Sequence, residues 1–212
     1  MAEDARLVLF APKEADAERL CAALQSALDV SPVDAVVLPV MGEDDRARIN
    51  HAKTIAALVQ PRGAALLLVD AYELVARVGA DGVHLSTSAN LSEVMAVLKP
   101  MDRIIGVGGL KARHDAMEVA EAGTDYVMFG EPRADGSILL SSAVLERVEW
   151  WAELFQTPCV AFASDLEMAT PLAETGAEFV AFGAAVLDAP EGPAEAMRQA
   201  VERVKAARRP ER

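Results

Sequence analysis

Gly79-Ala80-Asp81-Gly82-Val83-His84-Leu85 is the stretch from which the fold is read. A glycine, a small residue and an acid precede a short apolar run, and a polar cluster, Ser86-Thr87-Ser88, closes it. The pattern returns at Gly123-Thr124-Asp125-Tyr126-Val127-Met128-Phe129-Gly130 and again at Gly176-Ala177-Glu178-Phe179-Val180-Ala181-Phe182-Gly183. Alanine-rich segments of helical period lead into each copy: Val75-Ala76-Arg77, Val119-Ala120-Glu121 and Leu172-Ala173-Glu174. The physical reading is a helix stopped by glycine, a tight loop and a buried strand. Repetition of such a unit along one chain points to a closed ring of βα units.

The rest of the chain supplies the missing units. Strands are predicted at Leu7 to Ala11, Val33 to Leu38, Ala64 to Val69, Arg103 to Val107 and Pro158 to Phe162, in addition to the three repeats. Between them, apolar residues recur at helical spacing, as in Leu20, Ala23, Leu24, Ala27 and Leu28, or Ala52, Ile55, Ala56 and Val59. The clearest amphipathic helix runs from Leu140 through Val144, Val148 and Trp151 to Phe155. Strict alternation implies a parallel sheet, and eight units favour an α/β fold of one (β/α)8 (TIM) barrel. No linker divides the chain, so residues 1–212 read as a single domain. A barrel of this kind needs about 200 residues at least, so 212 makes a trimmed one.

Composition narrows the function. Apolar residues make up 52% of the chain, enough for a packed core. A net charge of −13 argues against nucleic acid and anionic membranes as partners, while leaving room for a local phosphate site. No apolar run approaches a membrane span, and Met1-Ala2-Glu3-Asp4 lacks the features of a signal peptide. A cytoplasmic protein is expected. Cys21 and Cys159 have no metal-ligand spacing and read as small core residues. Trp150 and Trp151 are helix neighbours, so one of them leaves the core stripe, either to tuck beside the strands or to mark a homodimer contact.

Barrels gather their chemistry in the loops after the strands. Here these loops include Pro39 to Glu43, Asp70-Ala71, Ser86 to Asn90, Gly108 to His114, Gly130 to Ser137, Ala163 to Asp165 and Gly183 to Asp188. Asp70 reads either as a Mg2+ ligand or as the N-cap of the third helix, and with no second acid in place the cap is favoured. His84 reads either as a ligand contact or as a hydrogen-bonded strand residue, the latter favoured. Gly108-Gly109 and Gly183-Ala184 are candidate phosphate cradles, each equally compatible with an ordinary turn. His114 reads as a solvated helix residue, and His51 carries no signal.

From Leu66 to Glu131 the chain resembles the thiamine-phosphate synthase family, which also holds a thiazole tautomerase. The resemblance rests on V-D-A-Y-E-L-V-A-R-V-G-A-D-G-V-H-L from Val69, then I-I-G-V from Ile104, then A-G-T-D-Y-V-M-F-G from Ala122. It implies a Mg2+-dependent transferase that joins a pyrimidine methyl pyrophosphate to a thiazole phosphate. It also implies Asp70 as the metal ligand; His84, Gly108, Gly109, Gly130, Arg133, Ser164, Gly183 and Ala184, by their place at the barrel mouth, are the candidate contacts to substrate or phosphate.

The family's chemical groups are largely replaced. Its Gln-x-Arg-x-Lys end of the second strand is aligned with Val36, Leu38 and Val40. Its Asn-Asp pair becomes Val69 and Asp70, and its Gly-Gln-x-Asp becomes Ser86, Thr87 and Ala89. Gly108 replaces a serine, and Arg133 is the cation left in a loop where the family has lysine. Ala163-Ser164 stands for a double glycine, and the tautomerase histidine position is empty. Two classes of function therefore stand: the transferase with a degenerate site, or a non-catalytic or repurposed barrel that binds a small ligand such as a phosphate ester.

Overall fold

The computed structural model describes residues 5–13, 16–132 and 141–207. Arg133, the remainder of its loop and the basic Arg208-Arg209 end lie outside the described residues. Eight strands are present: β1 (Arg6–Phe10), β2 (Ala35–Pro39), β3 (Ala65–Val69), β4 (Gly82–Leu85), β5 (Ile104–Val107), β6 (Tyr126–Phe129), β7 (Cys159–Ala163) and β8 (Phe179–Phe182). All neighbours are parallel, and β1 pairs with both β2 and β8, which closes the barrel. The expected ring of eight units is what the chain forms.

The outer ring is built from α1 (Ala17–Leu28), α2 (Asp45–Val59), α3 (Val75–Val78), α4 (Leu91–Leu98), α5 (Arg113–Glu121), α6 (Ser141–Leu154), α7 (Ala169–Glu174), α8 (Ala184–Leu187) and α9 (Pro193–Lys205). The third helix is only one turn of α-helix preceded by a 3-10 turn over Tyr72–Leu74. The single turn α8 was not expected from the sequence. It sits between β8 and the final helix α9.

Strand residues alternate between two cores. Leu9, Leu38, Leu66, Leu68, Ile105 and Phe182 face the helices. Val8, Val37, Leu67, Met128, Val160 and Phe162 belong to a second cluster inside the barrel. Both faces are covered, which is why the strands read as unbroken apolar runs.

The three repeats turn as their glycines require. Gly79, Gly123 and Gly176 have φ of 80°, 90° and 93°, a region that side chains resist. The acid of each repeat has a structural task. Asp81 accepts the Leu66 N–H at 2.8 Å, Asp125 that of Ile105 at 2.7 Å, and Glu178 that of Cys159 at 2.9 Å. Each carboxylate thus reaches from the foot of one strand to a backbone donor on the strand before it. Charged acceptors make such bonds stronger than neutral ones.

The tryptophans resolve within the chain. Trp151 is fully buried, and its indole N–H donates to the Thr157 carbonyl at 2.8 Å. Trp150 is half-buried, with the Arg113 guanidinium 4.7 Å from its ring and Phe155 at 5.1 Å between centroids. Trp150 thus packs on residues of its own chain and stays partly exposed.

Candidate functional site

The C-terminal ends of the strands form a mouth, and its floor is set by His84 on β4. This residue is 1% exposed. Its Nδ1 lies 2.9 Å from the Tyr126 hydroxyl on β6, and the rings stack at 5.9 Å with an interplanar angle of 16°. Phe10 meets the imidazole edge-on at 5.7 Å. The hydrogen-bonded strand reading of His84 therefore holds for Nδ1. Nε2 is buried and makes no hydrogen bond among the described residues. Burial lowers the His84 pKa to about 4, against a smaller opposing pull from the Asp70 charge. The imidazole is neutral at neutral pH. Burial also raises the Tyr126 pKa far above its ordinary value, so the phenol keeps its proton.

Asp70 does not cap the third helix. The cap position falls on Ala71, which offers no side-chain acceptor. Asp70 instead adopts φ 53°, and this left-handed turn directs its carboxylate toward the loop after β4. It accepts the Ser86 N–H at 2.8 Å and the Ser86 hydroxyl at 2.5 Å. Both carboxylate oxygens are thereby engaged. Among the described residues, no group of three or more His, Cys, Asp or Glu side chains could hold a metal ion. Mg2+ requires an octahedron of oxygens. Among the described residues, Asp70 and its neighbours do not by themselves supply the ligands of a resident Mg2+.

The Gly108-Gly109 turn holds an internal anion. The Glu131 carboxylate accepts the Gly109 N–H, and a side chain at Gly108 would collide with the same carboxylate. That added carbon would also stand 3.0 Å from His84 Nε2, so Gly108, Glu131 and His84 converge on one small volume. Gly109 has φ 65°, and a Cβ there would strike the Ser86 carbonyl, which ties this turn to the loop pinned by Asp70. Arg147 on α6 donates to the carbonyls of Leu110 at 2.9 Å and Lys111 at 2.7 Å, so its charge holds the loop.

The remaining candidates are more dispersed. A Cβ on Gly130 would stand 2.8 Å from Val144 and 3.1 Å from the Phe162 carbonyl, which makes this glycine a packing contact with α6. The Ser164 hydroxyl lies 3.0 Å from the Asp165 carboxylate, which caps the following turn through Met168 N–H. Gly183 and Ala184 open α8, where a Cβ on Gly183 would meet the Phe162 ring at 3.1 Å. His114 is exposed on α5, 3.1 Å from Glu118, as expected. His51, silent in the sequence, accepts the Met41 N–H at 3.2 Å across ten residues and steadies the loop after β2.

The side-chain directions along β2 bear on the replaced family groups. Val36 and Leu38 are fully buried against the helices. The inward positions are Val37 and Pro39, because side chains alternate along a strand. Val36 and Leu38, on which the sequence reading set the family's amide and first cation, thus point away from the barrel interior. The replacements remain apolar.

These features can be set beside known proteins. The thiamine monophosphate synthase family model matches residues 7–186. This chain belongs to that family. A thiamine-phosphate synthase of Rhodospirillum centenum is 34% identical over 203 residues, covering 92% of this chain and 95% of the relative. The thiamine-phosphate synthase of Hyphomonas neptunium is 33% identical, with coverages of 91% and 90%. The thiamine phosphate pyrophosphorylase of Pyrococcus furiosus superposes with a TM-score of 0.78 at 20% identity, covering 95% and 96% of the two chains, a likeness of fold. No helix among the described residues of this family member is long and apolar enough to cross a membrane.

Proposed function

We infer that this chain binds a small phosphorylated ligand of the thiamine-precursor class at its C-terminal mouth, and that it joins pyrimidine to thiazole far more slowly than a family member with a full set of cations. Membership of the thiamine monophosphate synthase family supports the ligand class. Gly183 and Ala184 at the start of α8 are the proposed phosphate contacts, joined by Arg133 from the loop after β6, with Ser164 at the rim. A cytoplasmic location accords with this role.

The observation that carries the slow rate is the Glu131 carboxylate on the Gly109 N–H. Displacing pyrophosphate calls for donors and cations aimed at developing negative charge. Here a protein carboxylate already takes a donor that a phosphate would use. Pro39 and Val37 supply no charge from β2, and Arg147 is committed to carbonyls. Losing a single preorganised donor costs about 100- to 1000-fold in rate. Groups acting together do not multiply simply, so the expectation is a large loss and not a product of factors.

The test is a coupled assay with pyrimidine pyrophosphate, thiazole phosphate and Mg2+, run beside an intact family member, with calorimetry for each ligand alone. Saturable binding with slow turnover is expected. Turnover within tenfold of the control restores an ordinary synthase, and failure of every phosphorylated ligand to bind removes the reading altogether.

A further inference from the structure

The pairing of His84 with Tyr126 decides which hydrogen bond the floor of the mouth can offer. The strand registers set His84, Gly106 and Tyr126 side by side across β4, β5 and β6. Gly106 is what lets the outer two meet, because a Cβ there would collide with the Tyr126 ring. The phenol keeps its proton, and among the described residues its hydrogen-bond partner is His84 Nδ1 at 2.9 Å. A neutral imidazole carries one N–H, on either Nδ1 or Nε2. An N–H on Nδ1 would use the phenol oxygen and leave the phenol proton without an acceptor in a buried place. Donation from the phenol to Nδ1 satisfies both atoms and puts the imidazole hydrogen on Nε2.

Nε2 is buried and makes no hydrogen bond among the described residues. It faces the space beside Gly108, where a Cβ would stand 3.0 Å away. The Gly109 N–H opens on the same space and is held by the Glu131 carboxylate, which leaves Nε2 unbonded. A bare lone pair on Nε2 would repel that carboxylate, so the local charge also favours a hydrogen there. We propose that Tyr126 is a positioning residue that fixes His84 as an Nε2–H donor, and that this donor and the Gly109 N–H form a subsite for one anionic oxygen of the ligand. The inference rests on the proposed binding of a phosphorylated ligand at this mouth, and it names the donors. A phosphate oxygen seated beside Gly108 takes both hydrogens when Glu131 withdraws. Charge-assisted bonds of this kind are stronger than neutral ones.

Imidazole nitrogen NMR on the full chain at neutral pH reads the tautomer with no ligand present. His84 should show a protonated Nε2 and a bare, hydrogen-bonded Nδ1. Tyr126→Phe keeps the ring and removes the hydroxyl, so the Nδ1 signal should move to that of a nitrogen without a donor. Binding is read by calorimetry with inorganic pyrophosphate in a Glu131→Ala background, where the Gly109 N–H is released. There Tyr126→Phe should weaken binding about threefold, and His84→Met, which has no donor, at least about tenfold. His84→Gln brings an amide N–H close to the place of Nε2 and should stay within about threefold of the background. Adding Tyr126→Phe to His84→Gln should then change nothing further, which a merely structural tyrosine would not show. If His84→Met does not fold by circular dichroism, the tautomer and the Tyr126→Phe and His84→Gln comparison decide. A proton on Nδ1 in the free chain, an Nδ1 signal unmoved by Tyr126→Phe, or unchanged affinity in Tyr126→Phe or in a folded His84→Met protein each overturns the proposal. No pyrophosphate binding to Glu131→Ala also overturns it. Thiazole phosphate binding to the unaltered chain would still uphold the broader reading, so the two fail separately.

Discussion

Glu131 fills the space that a side chain at Gly108 would need. The two positions are therefore coupled, and a double-mutant cycle measures the coupling. Gly108→Ala alone should destabilise the chain by about 1–3 kcal/mol, because its added methyl overpacks against the carboxylate. In a Glu131→Ala background that penalty should fall below about 1 kcal/mol. Equal penalties in the two backgrounds, read by urea denaturation, would remove Glu131 from this space.

The same carboxylate should antagonise anions at the mouth. Glu131→Ala frees the Gly109 N–H and removes a negative charge beside it. Pyrophosphate should bind roughly three- to tenfold more tightly to the variant by calorimetry, as suits a half-buried charge. Unchanged or weaker binding would mean that the anion contacts lie elsewhere.

Asp70 should prove to be a loop pin rather than a metal ligand in the free protein. Asp70→Ala releases both bonds to Ser86 and should cost about 1–2 kcal/mol. Asp70→Gly should cost less, because glycine accepts the φ of 53° without strain. Calorimetry of the unmodified protein should show no Mg2+ binding beyond dilution heat at millimolar concentration. A tight Mg2+ isotherm abolished by Asp70→Ala would reverse this assignment.

His84 links stability to pH. Its pKa is near 4 in the folded chain and about 6.5 when unfolded. Between those values the unfolded chain binds a proton that the folded chain does not, so stability falls as pH drops from about 6.5 to about 4. The difference corresponds to about 3 kcal/mol lost across that window, an order-of-magnitude figure. His84→Gln should flatten this part of the stability curve, and NMR should place the ring's own titration below pH 5. A ring that titrates near pH 6.5 in the folded protein contradicts the buried neutral assignment.

Asp125 tests the acids at the strand feet. It receives the Ile105 N–H as well as the Lys99 ammonium. Asp125→Ala should cost about 1–3 kcal/mol, because a backbone donor loses its partner. Lys99→Ala breaks only a partly exposed ion pair and should cost less than about 1 kcal/mol. If the two variants are equally destabilised in urea, the backbone bond is not the stabilising element.

The ring of eight units was legible because glycine stops and apolar runs are local signals. The tasks of their acids were not, since Asp81 meets Leu66 and Asp125 meets Ile105 only when strands pair. His84 showed in sequence as a polar residue in an apolar run, but its partner Tyr126 is 42 residues away. On β2, Ala35 to Leu38 is apolar at every position, so the sequence offered no alternation from which to choose the inward face. Asp70 misled because an acid before a helix resembles a cap, and its left-handed backbone is invisible in a string of letters. Arg133 remains a sequence assignment, lying outside the described residues.

The acids that join neighbouring strands sit at the feet of the barrel, while Glu131, Asp70 and His84 sit toward its mouth. Foundation and workshop are at opposite ends of the same strands. Loops at the mouth can exchange cations for apolar groups without touching the bonds at Leu66, Ile105 and Cys159. A chain built this way is free to change its occupation while keeping its address.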